Sequence, residues 1–160
     1  EMKRRFIAVI SGLLVAYTAT STTQTVQVPD YSNDPRLLKL KDFFESVDSP
    51  AAGYAEQFLL AADRHGLDWR LLPSIAMLES GGGKAARNNN ILGWDNGRSC
   101  FPSPSAGIHY VASRLAQSKL YRGKNLRKML SRYNPHADYP RRVQRIMRRL
   151  APEAGQILRY

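Results

Sequence analysis

LLPSIAMLESGGGKAARNNNILGWDNG, residues 71–97, is the stretch around which this chain is organised. It opens on an apolar run, Leu71, Leu72, Ile75, Ala76, Met77 and Leu78, dense enough to require a buried element. The run ends on one carboxylate, Glu79, followed by Ser80 and by Gly81, Gly82 and Gly83. An asparagine triplet (Asn88, Asn89, Asn90) and Ile91-Leu92-Gly93-Trp94 come next. The pattern predicts a buried helix that delivers an acid to its own C-terminal end. Glycine ends such a helix because it accepts the left-handed conformation needed there, and the glycines are expected to leave space beside the acid. Burial disfavours a charged carboxyl, and the partial negative charge of a helix C-terminus pushes the same way. Both effects favour the protonated acid that general-acid chemistry needs. The plainer reading of Glu-Ser-Gly is a solvated helix end and a flexible loop, since most acidic side chains are exposed.

On the N-terminal side, residues 36–47, RLLKLKDFFESV, carry Leu37, Leu40, Phe43 and Phe44 at helical spacing. Ser49-Pro50 is a helix start. The helix it opens is expected to run to His65 and stop at Gly66, with Tyr54, Phe58, Ala61 and Ala62 on its apolar face. Asp68 is expected to cap the Glu79 helix, and Pro73 to kink it or to make its first turn irregular. On the C-terminal side, residues 83–104 read as loop with at most one small hairpin, its turn at Asp95-Asn96-Gly97. Ser103 or Ser105 caps a helix to about Ser118, with Ile108, Val111, Ala112 and Leu115 buried. A short helix follows over residues 126–132, broken by Asn134-Pro135. Asp138 caps a last helix over residues 139–150 with Val143, Ile146, Met147 and Leu150 inward. The expected fold class is all-α.

The remaining segments are extensions. Lys3, Arg4 and Arg5 precede the apolar run FIAVISGLLVAY at 6–17, so residues 1–20 read as an export signal, cleaved or retained as an N-terminal membrane anchor. The run is short for a membrane span. Residues 21–35 read as a flexible linker, residues 36–152 as one domain and residues 153–160 as a tail. Export places the protein in the periplasm, the cell envelope or the medium.

Charge divides the chain unevenly. Residues 1–79 hold 8 basic and 10 acidic side chains, and residues 80–160 hold 16 and 3. The basic half implies an anionic partner. Cell-wall polymers fit, and so does nucleic acid. The last helix, with Arg141, Arg142, Arg145, Arg148 and Arg149, resembles a nucleic-acid helix when read alone. A solvated basic face opposite its apolar stripe explains it as well, and an export signal argues against a genomic target. The single cysteine, Cys100, has no intramolecular partner, and no cluster shows metal-ligand or phosphate-cradle spacing. No metal and no cofactor are predicted.

ESGGGKAARNNNILGW resembles the glucosaminidase branch of the lysozyme-like superfamily, which also contains the lytic transglycosylases. That pattern has a catalytic Glu-Ser at a helix end, a glycine-rich turn and an Asn-Asn-aliphatic segment. Tyr133-Asn134 and Tyr139 resemble its later cleft-lining tyrosines. The similarity covers roughly residues 50 to 150, and the aromatic that follows the asparagines is displaced to Trp94. The resemblance implies a compact lysozyme-like helical domain, monomeric, acting on β-1,4 links of peptidoglycan glycan strands as an endo-β-N-acetylglucosaminidase or a lytic transglycosylase. It implies Glu79 as general acid and base, with Tyr133 and Tyr139 hydrogen-bonding the reacting sugar and Trp94 stacking on a sugar face. Ser80, Asn89 and Asn90 are then expected at the substrate. Glycoside cleavage usually takes two carboxylates. Downstream of Glu79 only Asp95, Asp138 and Glu153 remain. Asp95 is the candidate second group, although turn formation already explains it. Family members often manage with one glutamate, the substrate's own N-acetyl group or muramic hydroxyl acting as nucleophile. A catalytically silent wall-binding module and a basic nucleic-acid binder are the readings of another class.

Overall fold

A computed structural model describes residues 29–151. The expected export signal, most of the linker and the tail lie outside the described residues. The described part is all-α, as its periodicity implies: six α-helices and one 3-10 turn, with no strand among the described residues. No helix among them is long and apolar enough to cross a membrane.

The domain begins earlier than residue 36. Tyr31 is buried, and its hydroxyl donates to Asp63 at 3.0 Å. Asp34 caps α1 (Pro35–Glu45) by accepting from the Arg36 N–H at 2.8 Å. The Arg36 guanidinium bridges Asp34 at 2.7 Å and Asp63 at 2.8 Å, which ties this start to α2 (Ala55–His65). Burial, then the bond to Asp63, pushes the Tyr31 phenol up to about 12. Ser49-Pro50 opens a 3-10 turn, Pro50–Tyr54, and α2 starts only after it, so the single helix expected here is two elements. Gly66, at φ 61, ends α2.

α3 (Leu71–Ser80) is the buried centre, packing on α2 and α6 (Tyr139–Leu150). Leu71 through Ala76 are all buried, which is why its apolar residues show no one-sided stripe. Asp68 does not cap it. The Asp68 carboxylate accepts from Arg70 N at 2.9 Å and pairs with the Arg70 guanidinium at 2.6 Å, one residue too early, and Arg70 holds the N-cap position without capping the helix through its side chain. Pro73 sits in the first turn, where an N–H has no partner inside the helix, so the helix runs through it. Phe44 and Phe58 stack at 5.7 Å, and Leu40, Leu59, Leu72, Ile75, Ile108 and Leu130 complete the core.

α4 (Pro104–Gln117) is capped by Ser103, whose Oγ accepts from Ala106 N at 3.1 Å. It packs on α2. α5 (Leu126–Tyr133) is capped by Asn125 and packs on α6. Asp138 holds the position before α6 but makes no cap bond; its carboxylate is taken by Arg141. Residues 81–103 form turns rather than a hairpin. Asp95 and Asn96 have the positive φ values (54 and 53) of a hairpin turn, and Gly97 N bonds Trp94 O at 3.1 Å. The flanking backbone, however, is bound by a side chain. Asn90 accepts from Trp94 N at 2.9 Å and donates to Trp94 O at 2.9 Å and to Ser99 O at 3.1 Å. The amide takes bonds that a second strand would make.

Candidate active site

Glu79 lies one residue before the C-terminus of α3, half-buried. Gly81 (φ 62) ends the helix, its N–H bonding Met77 O at 3.1 Å, while Gly82 N reaches Ala76 O at 3.0 Å. The glycine triplet was expected to clear space beside the acid, and it does not. A Cβ at Gly82 would strike the Ser49 hydroxyl, and one at Gly83 would lie 3.2 Å from Pro50 Cγ. These glycines let the chain turn tightly against the start of the 3-10 element. The space beside the acid comes from Gly93: a Cβ there would stand 2.5 Å from Glu79 Oε2 and 3.0 Å from its Cγ, and φ is +66. Only glycine fits.

Two tyrosines close the other side. Tyr133, ending α5, and Tyr139, opening α6, stack at 6.1 Å with 12° between rings. The Tyr133 hydroxyl donates to Leu92 O at 2.5 Å, fastening the loop that carries Gly93. The Tyr139 hydroxyl is buried with no partner in full hydrogen-bond geometry. The group it faces is the Glu79 carboxylate. Burial first, then the charge of Glu79 and hydrogen bonding to it, push the Tyr139 phenol far above its ordinary value. Burial, then Glu79, does the same to Tyr133. Both phenols therefore stay protonated beside the acid, Tyr133 giving its proton to Leu92 O and Tyr139 facing the carboxylate with its own. The ion pairs among the described residues join Arg36, Arg70, Arg98 and Arg141 to aspartates, and none includes Glu79.

The acid opens into a hollow of about 300 Å³ lined by Glu79, Gly93, Asn96, Gly97, Tyr133 and Asn134. A second hollow of about 240 Å³ adjoins it, sharing Gly93, Asn96 and Tyr133 and adding Trp94, Asp95 and Tyr121. Together they make a groove with the acid at one end and Trp94 at the other. Trp94 is wedged among Tyr110, Tyr121 and Tyr133 at 5.7–6.1 Å, so its orientation is set by packing, and part of it remains exposed to the groove.

The expected site residues divide. Glu79, Tyr133, Tyr139 and Trp94 converge. Ser80 turns inward: it is buried, donates to Ile91 O at 2.6 Å and accepts from Gly83 N at 2.8 Å, which makes it a latch for the loop rather than a ligand for substrate. Asn90 is buried and spent on the loop backbone. Asn89 is exposed, in the left-handed region (φ 56), and its amide donates to Phe101 O at 2.9 Å. Neither lines the groove at Glu79. Asp95 is exposed on the rim of the second hollow and pairs with Arg98 at 2.6 Å; it does not line the hollow of Glu79. The hollow that Glu79 lines holds one carboxylate, and Asp95 belongs to the adjoining one. Asn134 lines the hollow, as its place beside Tyr133 in the cleft-lining segment implied, whereas Gly93, Asn96, Gly97 and Tyr121 were not expected as lining. The positive-φ signal of Asp-Asn-Gly marks the turn that holds Asn96 and Gly97, whereas Tyr121 lies in a segment without periodicity.

Fold and site together define an all-helical domain that presents one acid at a helix C-terminus in an aromatic-lined groove. Neither a protein-family model nor a curated protein matches the chain.

Proposed function

We propose that the chain is a cell-wall glycosidase that cleaves β-1,4 links of peptidoglycan glycan strands, with Glu79 as general acid and then base. The observation that carries this reading is the setting of Glu79. It is an unpaired carboxyl on a buried helix end, open to a groove through Gly93 and faced by the protonated phenols of Tyr133 and Tyr139. Glu79 would protonate the glycosidic oxygen, and the tyrosines would hold the carboxyl and the reacting sugar in register. Trp94 offers partly exposed apolar ring surface in the adjoining hollow, on which a sugar face would stack. With Asp95 outside the hollow of Glu79, the nucleophile is the substrate's own N-acetyl group or a muramic hydroxyl, a recognised exception to the two-carboxylate rule. The same lone acid favours a lytic transglycosylase as the second reading. Export of a monomeric domain to the cell envelope belongs to the proposal.

Mass spectrometry of purified peptidoglycan digested by the chain, with Glu79→Gln beside it, tests this. Soluble fragments that vanish in the variant are expected. Reducing N-acetylglucosamine ends identify a glucosaminidase, and anhydro-muramic ends a transglycosylase. No fragments from either protein, with retention on the wall pellet, would leave a binding module.

A further inference from the structure

α5 has two faces with different chemistry. Leu130 and Tyr133 point inward, and Tyr133 reaches the groove. The outer face carries Arg127, Lys128 and Arg132, all exposed; with Lys124, Asn125 and Ser131 they line a separate hollow of about 520 Å³. Between Asp95 and Asp138 the sequence contains no carboxylate at all. Those two flanking acids are already held by Arg98 and Arg141. None of the four cations of the hollow takes part in an ion pair among the described residues. Lys128 and Arg132 also stand four apart on one helix, where like charges repel. A concave surface that gathers unneutralised cations, a hydroxyl and an amide along α5 and the two residues before it is suited to an extended anion.

We propose that this hollow is a docking site for a linear phosphate-bearing polymer of the cell wall, which holds the glycan groove against its substrate. The choice of a wall polymer rests on the glycosidase reading; the anion site itself does not. Single-stranded nucleic acid is held by stacking of bases on aromatic rings, and no aromatic side chain lines the hollow. Because Tyr133 projects from the opposite face of the same helix, a polymer seated here lies about one helix diameter, roughly 10–12 Å, from the groove.

The test uses the full chain carrying Glu79→Gln, so that nothing is cleaved. Binding of fluorescent poly(glycerol phosphate) is followed by anisotropy over a salt series, with duplex DNA of equal charge as a second probe. Arg127→Gln/Lys128→Gln/Arg132→Gln is expected to weaken polymer binding at least about tenfold and to flatten its salt dependence, because fewer counterions are released. Lys41→Gln/Arg145→Gln/Arg148→Gln removes three exposed cations elsewhere and is expected to change affinity by less than about twofold beyond the general charge effect. Equal losses in the two triple variants would overturn the proposal, as would no binding or tighter binding to DNA. Both variants are checked for an unchanged thermal transition. Release of fragments from peptidoglycan stripped of anionic polymers should be unaffected by the α5 substitutions in an otherwise native chain. If the native chain releases no fragments while the binding pattern holds, the glycosidase reading falls and the docking site stands.

Discussion

The segment behind Glu79, residues 81–83, and the segment in front of it, residues 90–97, are both glycine-bearing turns, and they serve the acid in opposite ways. The rear turn is packed: Gly82 is pressed on Ser49 and Gly83 on Pro50, and the Ser49 hydroxyl donates to Gly82 O at 3.0 Å. It ends α3 and fixes the direction of its last residues. The front turn is held at a distance by side chains, Asn90 on its backbone and Tyr133 on Leu92 O, so that Gly93 can lie against the carboxylate with nothing between. Adjacency in sequence thus supplies the scaffold, and a residue distant in sequence supplies the access. Rear substitutions should cost stability; front substitutions should cost activity first.

The largest effect falls on the acid itself. Glu79→Gln keeps the shape of the side chain and is expected to lower the rate of fragment release by about 10²–10⁴-fold, the usual range for a general acid-base group. The thermal transition should move little. Next comes the contrast between glycines. Gly93→Ala is expected to cost about 1–2 kcal/mol from the left-handed backbone and to cut activity toward that of Glu79→Gln, because the methyl group displaces the carboxylate. Gly82→Ala should lose about 1–3 kcal/mol by overpacking against Ser49 while the surviving folded protein keeps most of its turnover. Equal activity losses at the two positions, measured at a temperature where both variants are folded, would erase the distinction between rear and front.

Asn90 sharpens the same contrast. Asn90→Ala leaves Trp94 N and Ser99 O without their partners, while Trp94 O keeps its bond from Gly97 N, at about 1–3 kcal/mol for each group left buried and unpaired. Loss of activity should exceed what the loss of stability explains, since Gly93 and Trp94 are freed together. Asp95→Asn is expected to be nearly silent, within about threefold in rate, because an exposed pair such as Asp95–Arg98 contributes only about 0–1 kcal/mol. A large activity loss there would restore Asp95 as a second catalytic group.

These contrasts also mark what was legible in the residues. α3 was readable because an apolar run without a polar stripe has only the centre of a helical domain to occupy. α4 was readable because the serines beside Pro104 announce its start, Ser103 proving to be the cap rather than Ser105, and its buried residues keep a period of three to four. Glu79, Tyr133, Tyr139 and Trp94 were readable as a set through the resemblance. The roles of the small polar residues were not. Ser80 and Asn90 look like ligands in a glycine- and asparagine-rich stretch, but their partners are backbone atoms that arrive only when the loop folds back, at Ile91 for one and at Trp94 and Ser99 for the other. The caps expected at Asp68 and Asp138 failed for one shared reason: each aspartate is followed within three residues by an arginine that takes the carboxylate.

The smallest effect tests a region away from the groove. His109 on α4 lies against α2, its Nε2 3.0 Å from Gln57 Oε1 and its Nδ1 buried without a partner. Burial, followed by the charges of Arg64 and His65, lowers its pKa below the ordinary 6.5. His65 is lowered too, by burial and Arg64. The folded state therefore binds fewer protons than the unfolded chain in the window just below 6.5, so stability rises with pH there and falls as the solution is acidified. The thermal midpoint should drop on going from neutral pH to about 5.5, a window set by the ordinary histidine value. His109→Gln, which keeps a hydrogen-bonding group toward Gln57 and cannot be protonated, should make that dependence shallower, with His65 accounting for what remains. An unchanged pH slope in this variant would place the acid sensitivity of this window in His65 rather than in the aspartates bound to Arg36. Those groups, held below their ordinary values by Arg36, lose their contribution only at pH values lower still.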